Sequence, residues 1–296
     1  MRRWISAALA ALLPAAVRAV QLTDSLQDAD LAQSGYLPCH NIDPARLGNY
    51  TRAWLNTYSS NEYFHAKPLV YTPPGATDEL VILVSNQNNI RVLDGATGTL
   101  KYSRTVQPPF MAFDSNCGDI QYSIGITGTP YIDAATNIMY FFSKGYRPGS
   151  GPGDPNNPGV GAINGTYKLY AVTLPTLADI SGFPVTIDGH AADNDPTRYF
   201  VGGVVLQRPS VAVVGNTIVG GFGGHCDNFN YTGMLVSVSK TAGVGVTGVQ
   251  AMVASPGAPS PIPTDYINGN GGKAGIWQAG AGLAYDGGNK LYFTTG

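Results

Sequence analysis

Residues 86–102 read NQNNIRVLDGATGTLKY, a polar turn, a short apolar run, then a D-G and a T-G pair. A Gly-rich turn beside an apolar run can cradle a phosphate or close a tight hairpin. The rest of the chain decides between them. Just upstream lies KPLVYTPPGATDELVILVSN (67–86), and its shape returns in TPYIDAATNIMYFFSK (129–144), RPSVAVVGNTIVGGFGGH (208–225) and AGLAYDGGNKLYFTTG (281–296). Each has a short apolar strand, a turn of Asn, Asp, Gly or Pro, and a second apolar strand, which is a β-hairpin signature. A second hairpin follows the first three, at 88–102, 167–185 (YKLYAVTLPTLADISGFPV) and 233–249 (GMLVSVSKTAGVGVTGV). The opening stretch is therefore a hairpin turn inside a repeat.

The repeating unit is four strands, opened at Pro68, Pro130, Pro209 and Ala284. Four antiparallel strands per repeat with long loops between describe the blade of a β-propeller. One blade alone cannot cover both of its faces, whereas radial stacking covers them. The runs VILV and IMYFF are apolar at nearly every position, as that stacking requires. A sandwich, barrel or solenoid would bring cleaner alternation of apolar and polar residues. Three complete units and half of a fourth are present, so an all-β, incomplete β-propeller is expected over 65–296, preceded by an N-terminal segment at 20–64. Such propellers usually have more blades, which makes a fragment of a larger ring the expectation.

Composition agrees: 38 Gly, 21 Pro and 17 Tyr with only 12% charged residues suit tight turns and aromatic-filled pleated faces. One short helix is expected at 22–33 (LTDSLQDADLAQ), from the spacing of Leu22, Leu26, Ala29 and Leu31 after Thr23 as N-cap. The Pro/Gly-rich segments 145–163 and 254–274 read as long loops. The first nineteen residues, MRRWISAALAALLPAAVRA, read as a secretory signal peptide cut after Ala19. Their apolar run from Trp4 to Val17 is shorter than the ~20 residues a membrane span needs. Losing Arg2, Arg3 and Arg18 leaves 14 basic against 19 acidic residues, a net charge of −5. A mildly acidic chain without a basic patch is a poor nucleic-acid binder. Sequons at Asn49, Asn164 and Asn230 support a secreted, N-glycosylated protein.

The hairpins IRVLDGATGTLKY and YDGGNKLYFTTG, with CGDIQYSIGITGTPYID (117–133), GGHCDNFNYTGMLVSVS (223–239) and GGKAGIWQAGAGLAYDGGNKLYFTTG (271–296), resemble a secreted branch of the quinoprotein alcohol dehydrogenase-like propellers. The resemblance implies the propeller fold over about 65–296. It implies little about activity, because most of that branch is known only as propeller domains. Catalytic members of the family carry pyrroloquinoline quinone over two adjacent cysteines, a calcium-binding set of Glu, Asn and Asp, and a Trp closing each repeat. This chain has no Cys-Cys pair, places Tyr102 where the first Trp would stand, and shows no matching calcium set. Quinone-with-calcium dependence is thus unsupported by the motifs. A secreted binding scaffold for small polar or carbohydrate ligands is the leading expectation, with a quinone-dependent oxidoreductase of alcohols or sugars as the alternative.

Candidate sites follow from that frame. Three cysteines allow three pairings. Cys117 and Cys226, in the similar contexts N-C-G-D and H-C-D-N, are the expected pair, leaving Cys39 free or partnered elsewhere. A thiolate at Cys226 served by His225 is disfavoured, since neighbours on a strand point to opposite faces. Asp114, Asn116 and Asp119 flank one cysteine, and Asp227 and Asn228 the other. A disulfide would gather them into a hard-cation or sugar site, although Asp and Asn equally serve as turn formers. Trp277 could stack a sugar or cofactor ring, or dock a blade as a core residue. His40, His65 and His190 are isolated and read as structural or surface residues. No G-x-x-x-x-G-K-[ST], G-x-S-x-G or H-E-x-x-H motif occurs.

Overall fold

The computed structural model describes residues 24–35, 43–254, 258, 273–288 and 290–296. The signal-peptide stretch, Cys39, His40 and most of the 254–274 loop lie outside the described residues.

Three full sheets and one hairpin follow the repeat. The first sheet pairs Leu69–Tyr71, Leu80–Val84, Asn89–Asp94 and Leu100–Thr105 in sequential antiparallel order. The second uses Tyr131–Asp133, Ile138–Tyr146, Gly165–Thr173 and Val185–Thr186. In the third, Val205–Gln207 and Ala212–Val214 both pair with Thr217–Gly224, followed by Met234–Ser239 and Val246–Ala251. The last hairpin joins Ala284–Tyr285 to Leu291–Tyr292.

The cores show how the sheets stack. A strand sends alternate side chains to opposite faces, and in the second sheet the two sets enter different cores. Met139, Phe141, Tyr170 and Val172 pack with Leu69, Ile82 and Val92 of the first sheet. Tyr140, Phe142, Leu169 and Ala171 pack with Val213, Ile218, Phe222 and Val236 of the third. The third sheet's other face sets Ala212, Val219 and Leu235 against Ile276, Leu283 and Leu291. Each sheet is thus one layer of a blade stack, which is the β-propeller architecture. The first strands of successive blades are also laced together. Lys67 N donates to Thr129 Oγ1 at 3.0 Å, Val211 N to Thr129 O at 2.9 Å and Ser210 N to Ala281 O at 3.0 Å. No strand ladder joins the first sheet to the last hairpin among the described residues.

Coverage also explains burial along the central strands. Ile138–Tyr146 is buried at seven consecutive positions because cores lie on both sides. Leu80–Val84, covered fully on one side only, alternates between buried and half-buried positions.

The turn in the opening stretch is closed by its own aspartate. Asp94 Oδ1 accepts from Ala96 N, Thr97 N and Thr97 Oγ1 at 3.1, 2.9 and 3.0 Å. Lys101 Nζ sits 2.9 Å from Oδ2. This ammonium, with the Thr97 donors, holds the Asp94 carboxyl down at about 2. The amides that might have bound a phosphate are therefore spent. Gly98 takes φ +71°, and a Cβ there would lie 2.6 Å from the Trp54 indole. Trp54 Nε1 donates to Gly95 O at 2.9 Å, so a tryptophan of the N-terminal segment covers this turn while Tyr102 stays exposed on the outer strand.

The helix expected at 22–33 is corrected over its described part. Residues 24–33 form a bridge, bends and turns. Ser25 exchanges backbone hydrogen bonds with Val70, at 2.8 and 3.0 Å, and the Asp24 carboxylate accepts from Thr72 N at 2.9 Å. Leu26 O accepts from Ile132 N and Leu31 O from Tyr285 N, each at 2.8 Å. The segment's polar backbone groups are claimed by three blades, and tertiary pairing overrides its helical spacing.

Candidate ligand-binding site

Several expected site residues meet where the long central strands end. Ile138–Tyr146 finishes there, as does Thr217–Gly224, and Gly165–Thr173 begins there. Lys144, on the second sheet's central strand, is fully buried. Its Nζ reaches Gly203 O at 3.1 Å, Val205 O at 2.9 Å and His225 Nε2 at 2.7 Å, and lies 4.2 Å from the Phe110 ring centroid. Three acceptors and an aromatic face match the three donors of an ammonium. With the ammonium donating, His225 Nε2 is the acceptor, and its Nδ1 lies buried without a hydrogen-bond partner among the described residues. Burial pulls the Lys144 pKa well down, opposed by Asp188, Asp119 and Asp114. Burial, and then the Lys144 charge, pushes His225 far below its ordinary value. The pair stitches the second sheet to the third, and nothing reaches it from solvent.

Next to His225, Cys226 forms a disulfide with Cys117 across a sequence separation of 109 residues. Asn228 Nδ2 donates to Asn116 O at 2.7 Å, a second tie between the same loops. The bridge gathers the expected polar residues, but most are committed. Asp114 is buried, with Tyr146 Oη donating to it at 2.6 Å and Gly153 N at 3.2 Å, so it organises the 145–163 loop. Asp227 Oδ1 accepts from Tyr231 Oη at 2.7 Å. Asp119 is exposed, its Oδ1 accepting only from the adjacent Ile120 N at 2.8 Å. Trp277 lies partly buried against Phe110, Ile120, Ile124 and Leu206, and the glycine backbone of Gly223 approaches its indole.

The structure adds residues that the sequence reading passed over. Among the described residues, half-buried Arg208 makes no hydrogen bond or ion pair, and its enclosed Nε has no partner. His65 Nε2 is likewise enclosed and unpartnered. Burial, then the Arg208 charge, lowers the His65 pKa, while Asp119 opposes both effects. His65 is therefore no isolated histidine but part of an Arg208–His65–Asp119 group beside the disulfide. Its ring also stacks on Tyr63, at 6.3 Å between centroids, and Tyr63 stacks on Tyr122 at 5.9 Å and 13°. One-dimensional spacing cannot show this, because residues 63–65, 119–122 and 208 come from widely separated stretches of the chain, two of them in the segments that precede the first and second sheets.

The donor set does not fit pyrroloquinoline quinone with calcium. Among the described residues, three His, Cys, Asp or Glu ligand atoms converge at Cys117, Asp119 and Cys226. Both sulfurs there are bonded to each other, so they offer no thiolate. Calcium takes roughly six to eight oxygens, while both Asp114 oxygens accept hydrogen bonds inside the fold and Asp227 Oδ1 accepts from Tyr231.

A separate cleft of about 320 Å³ lies at the edge of the second sheet, lined by Arg147, Lys168, Thr166, Thr186 and Asp188 among others. Its carboxylate is internal, since Asp188 accepts from Gly202 N at 2.6 Å and from Tyr167 N and Thr166 Oγ1 at 2.8 Å. Of the sequons, Asn49 is exposed, whereas Asn164 Nδ2 donates to Gly151 O at 2.8 Å and Asn230 is half-buried. No helix among the described residues is long and apolar enough to cross a membrane.

The chain matches no family model and no curated protein. Among solved structures it is similar to the quinohemoprotein alcohol dehydrogenase of Comamonas testosteroni, at 14% identity and a TM-score of 0.32. That match covers 65% of this chain and 30% of the enzyme, so the chain spans under a third of the enzyme's length. It is also similar to BamB of Moraxella catarrhalis, at 9% identity and a TM-score of 0.16, over 65% of this chain and 78% of BamB. Likenesses this low carry no weight for chemistry, and the β-propeller assignment stands on the blade stack itself.

Proposed function

We propose that this blade stack is a secreted, non-catalytic scaffold that binds small polar ligands, carbohydrates among them, at the disulfide-bridged end of its sheets. One observation carries the reading. Arg208 is half-buried beside the disulfide-bridged loops and makes no hydrogen bond or ion pair among the described residues, so its outer guanidinium donors are open to a ligand that supplies acceptors. The surrounding groups support binding over chemistry: the disulfide removes both thiols, and Asp114 and Asp227 are held by internal hydrogen bonds. The placement outside the cell rests on the leader-like N-terminus, the sequons and the disulfide.

A glycan array and calorimetric titrations of the secreted protein test this. Binding of a small polar ligand that is lost in R208A supports the proposal. Dye-linked oxidation of alcohols or sugars upon addition of pyrroloquinoline quinone and calcium would replace it with the oxidoreductase reading.

A further inference from the structure

One face of the second sheet stays open where the first sheet stops covering it. Tyr167 and Leu169 turn toward the third sheet, while Tyr170 and Val172 pack into the core shared with the first. Alternation then puts Thr166 and Lys168 on the first-sheet side, and the ladder adds their neighbours. Lys168 lies opposite Thr186, and Thr166 lies opposite Gly145, two residues before Arg147. Arg147 N donates to Asn164 O at 2.8 Å, which carries the pairing one step past the strand and brings Arg147 to the same face. These residues, with Pro148, Asp188 and Gly189, line the cleft of about 320 Å³.

Its charges are unevenly spent. Asp188 is used up by the fold, since Oδ1 accepts from Gly202 N, and Oδ2 from Tyr167 N and Thr166 Oγ1. Arg147 stands 3.8 Å from Oδ1, beyond hydrogen-bond reach, and its guanidinium donates no hydrogen bond among the described residues. Half-buried Lys168 makes neither a hydrogen bond nor an ion pair through its side chain there. Two cations against one carboxylate leave a single positive charge, in a cleft whose walls are otherwise mainly apolar. A planar guanidinium pairs with a carboxylate by two parallel hydrogen bonds, and an ammonium adds a point charge. A cavity of roughly 150 Å³ takes a benzene ring, so this cleft has room for a ring together with its carboxylate.

We propose that the cleft is a second binding site, taking a small carboxylate with an apolar body whose head sits between Arg147 and Lys168. It shares no lining residue with Arg208, His65 or Asp119 and is independent of the ligand reading above.

The test titrates the full chain calorimetrically with benzoate, with benzyl alcohol as the neutral analogue and acetate as the head alone. Benzoate should bind about tenfold or more tighter than either, the scale of one charge-assisted hydrogen bond or of a buried ring. K168Q should lose the margin over benzyl alcohol at an unchanged thermal midpoint, because the Lys168 ammonium holds nothing in the fold. R147K keeps the charge beside Asp188 without the fork, and should weaken benzoate while leaving benzyl alcohol unchanged. Added salt should do the same. R208A should bind benzoate as the wild type does. Benzoate no tighter than benzyl alcohol overturns the carboxylate assignment, and benzoate no tighter than acetate overturns the apolar body. Unaltered benzoate affinity in K168Q, or its loss in R208A, places the anion elsewhere and overturns the inference. Absence of binding by all three removes the cleft as a site and leaves the reading at the disulfide-bridged end untouched.

Discussion

Replacing both bridging cysteines, in C117S/C226S, should destabilise the chain by an amount that follows from topology. The bridge closes a loop of 109 residues. Chain-entropy arithmetic for a loop of that length gives about 4.8 kcal/mol at 25 °C, lost because the unfolded ensemble is no longer constrained. The native state changes little, since Asn228 still holds Asn116 O at 2.7 Å and the two loops sit on blades sharing a large core. For a domain of this size the midpoint should fall by roughly 10–20 °C. Urea unfolding followed by tryptophan fluorescence, with the oxidised wild type alongside, measures it. The denaturant slope should also rise, because a chain without the cross-link exposes more surface when unfolded. A loss under about 1 kcal/mol, with an unchanged slope, would refute the argument and show that the unfolded chain is held together by something other than the bridge.

Four further outcomes are expected. K144M strands the carbonyls of Gly203 and Val205 and the ring nitrogen of His225, and should cost about 3 kcal/mol in denaturant unfolding; a variant as stable as wild type would contradict the ammonium cage. G98A forces a Cβ into a positive-φ site against Trp54 and should cost more in denaturant unfolding than G75A, which carries the same positive-φ strain in open space; equal losses would contradict the Trp54 contact. His225 has a folded pKa depressed below the unfolded 6.5, so the unfolded chain binds the extra proton and stability falls as pH drops below that value. The slope approaches about 1.4 kcal/mol per pH unit, and equilibrium unfolding of H225N across pH 4–8 should show it flattened. Mass spectrometry of the secreted protein should find glycan on exposed Asn49 and none on Asn164, whose amide is bonded to Gly151 O; full occupancy of Asn164 would show that this hydrogen bond does not guard the site.

Much of the fold was legible because hairpins write themselves locally. VYTPPGATDELVILV, MYFF and the D-G and N-T turns carry strand periodicity and turn chemistry within twenty residues. The strands Leu80–Val84, Asn89–Asp94, Thr217–Gly224 and Met234–Ser239 fall inside the segments that those signals mark, whereas the pairs Phe110–Met111 with Ser123–Ile124 and Ala191–Ala192 with Asp195–Tyr199 lie outside them. The failure at 22–33 has a local cause too. Its apolar spacing fits a helix, yet Ser25, Leu26 and Leu31 give their backbone groups to strands 45 to 254 residues away, and no window of sequence contains that competition. The site was legible only in part. The disulfide-flanking acids were visible from their shared context with Cys117 and Cys226, but whether Asp114 faces solvent or Tyr146 was not.

The sequence by itself determined the central hairpins and their order in the repeat, because backbone pairing between neighbours in the chain depends on residues close together, while the fifth strand Val205–Gln207 of the third sheet was decided by the fold. Tertiary structure alone decided which side chains are left over. That Arg208 Nε and His65 Nε2 find no hydrogen-bond partner among the described residues, that Lys144 has three acceptors, and that Tyr122 is held at a positive φ are properties of segments meeting in space. Satisfaction of a buried polar group is settled by its three-dimensional neighbours, and those come from stretches of chain that share no local pattern.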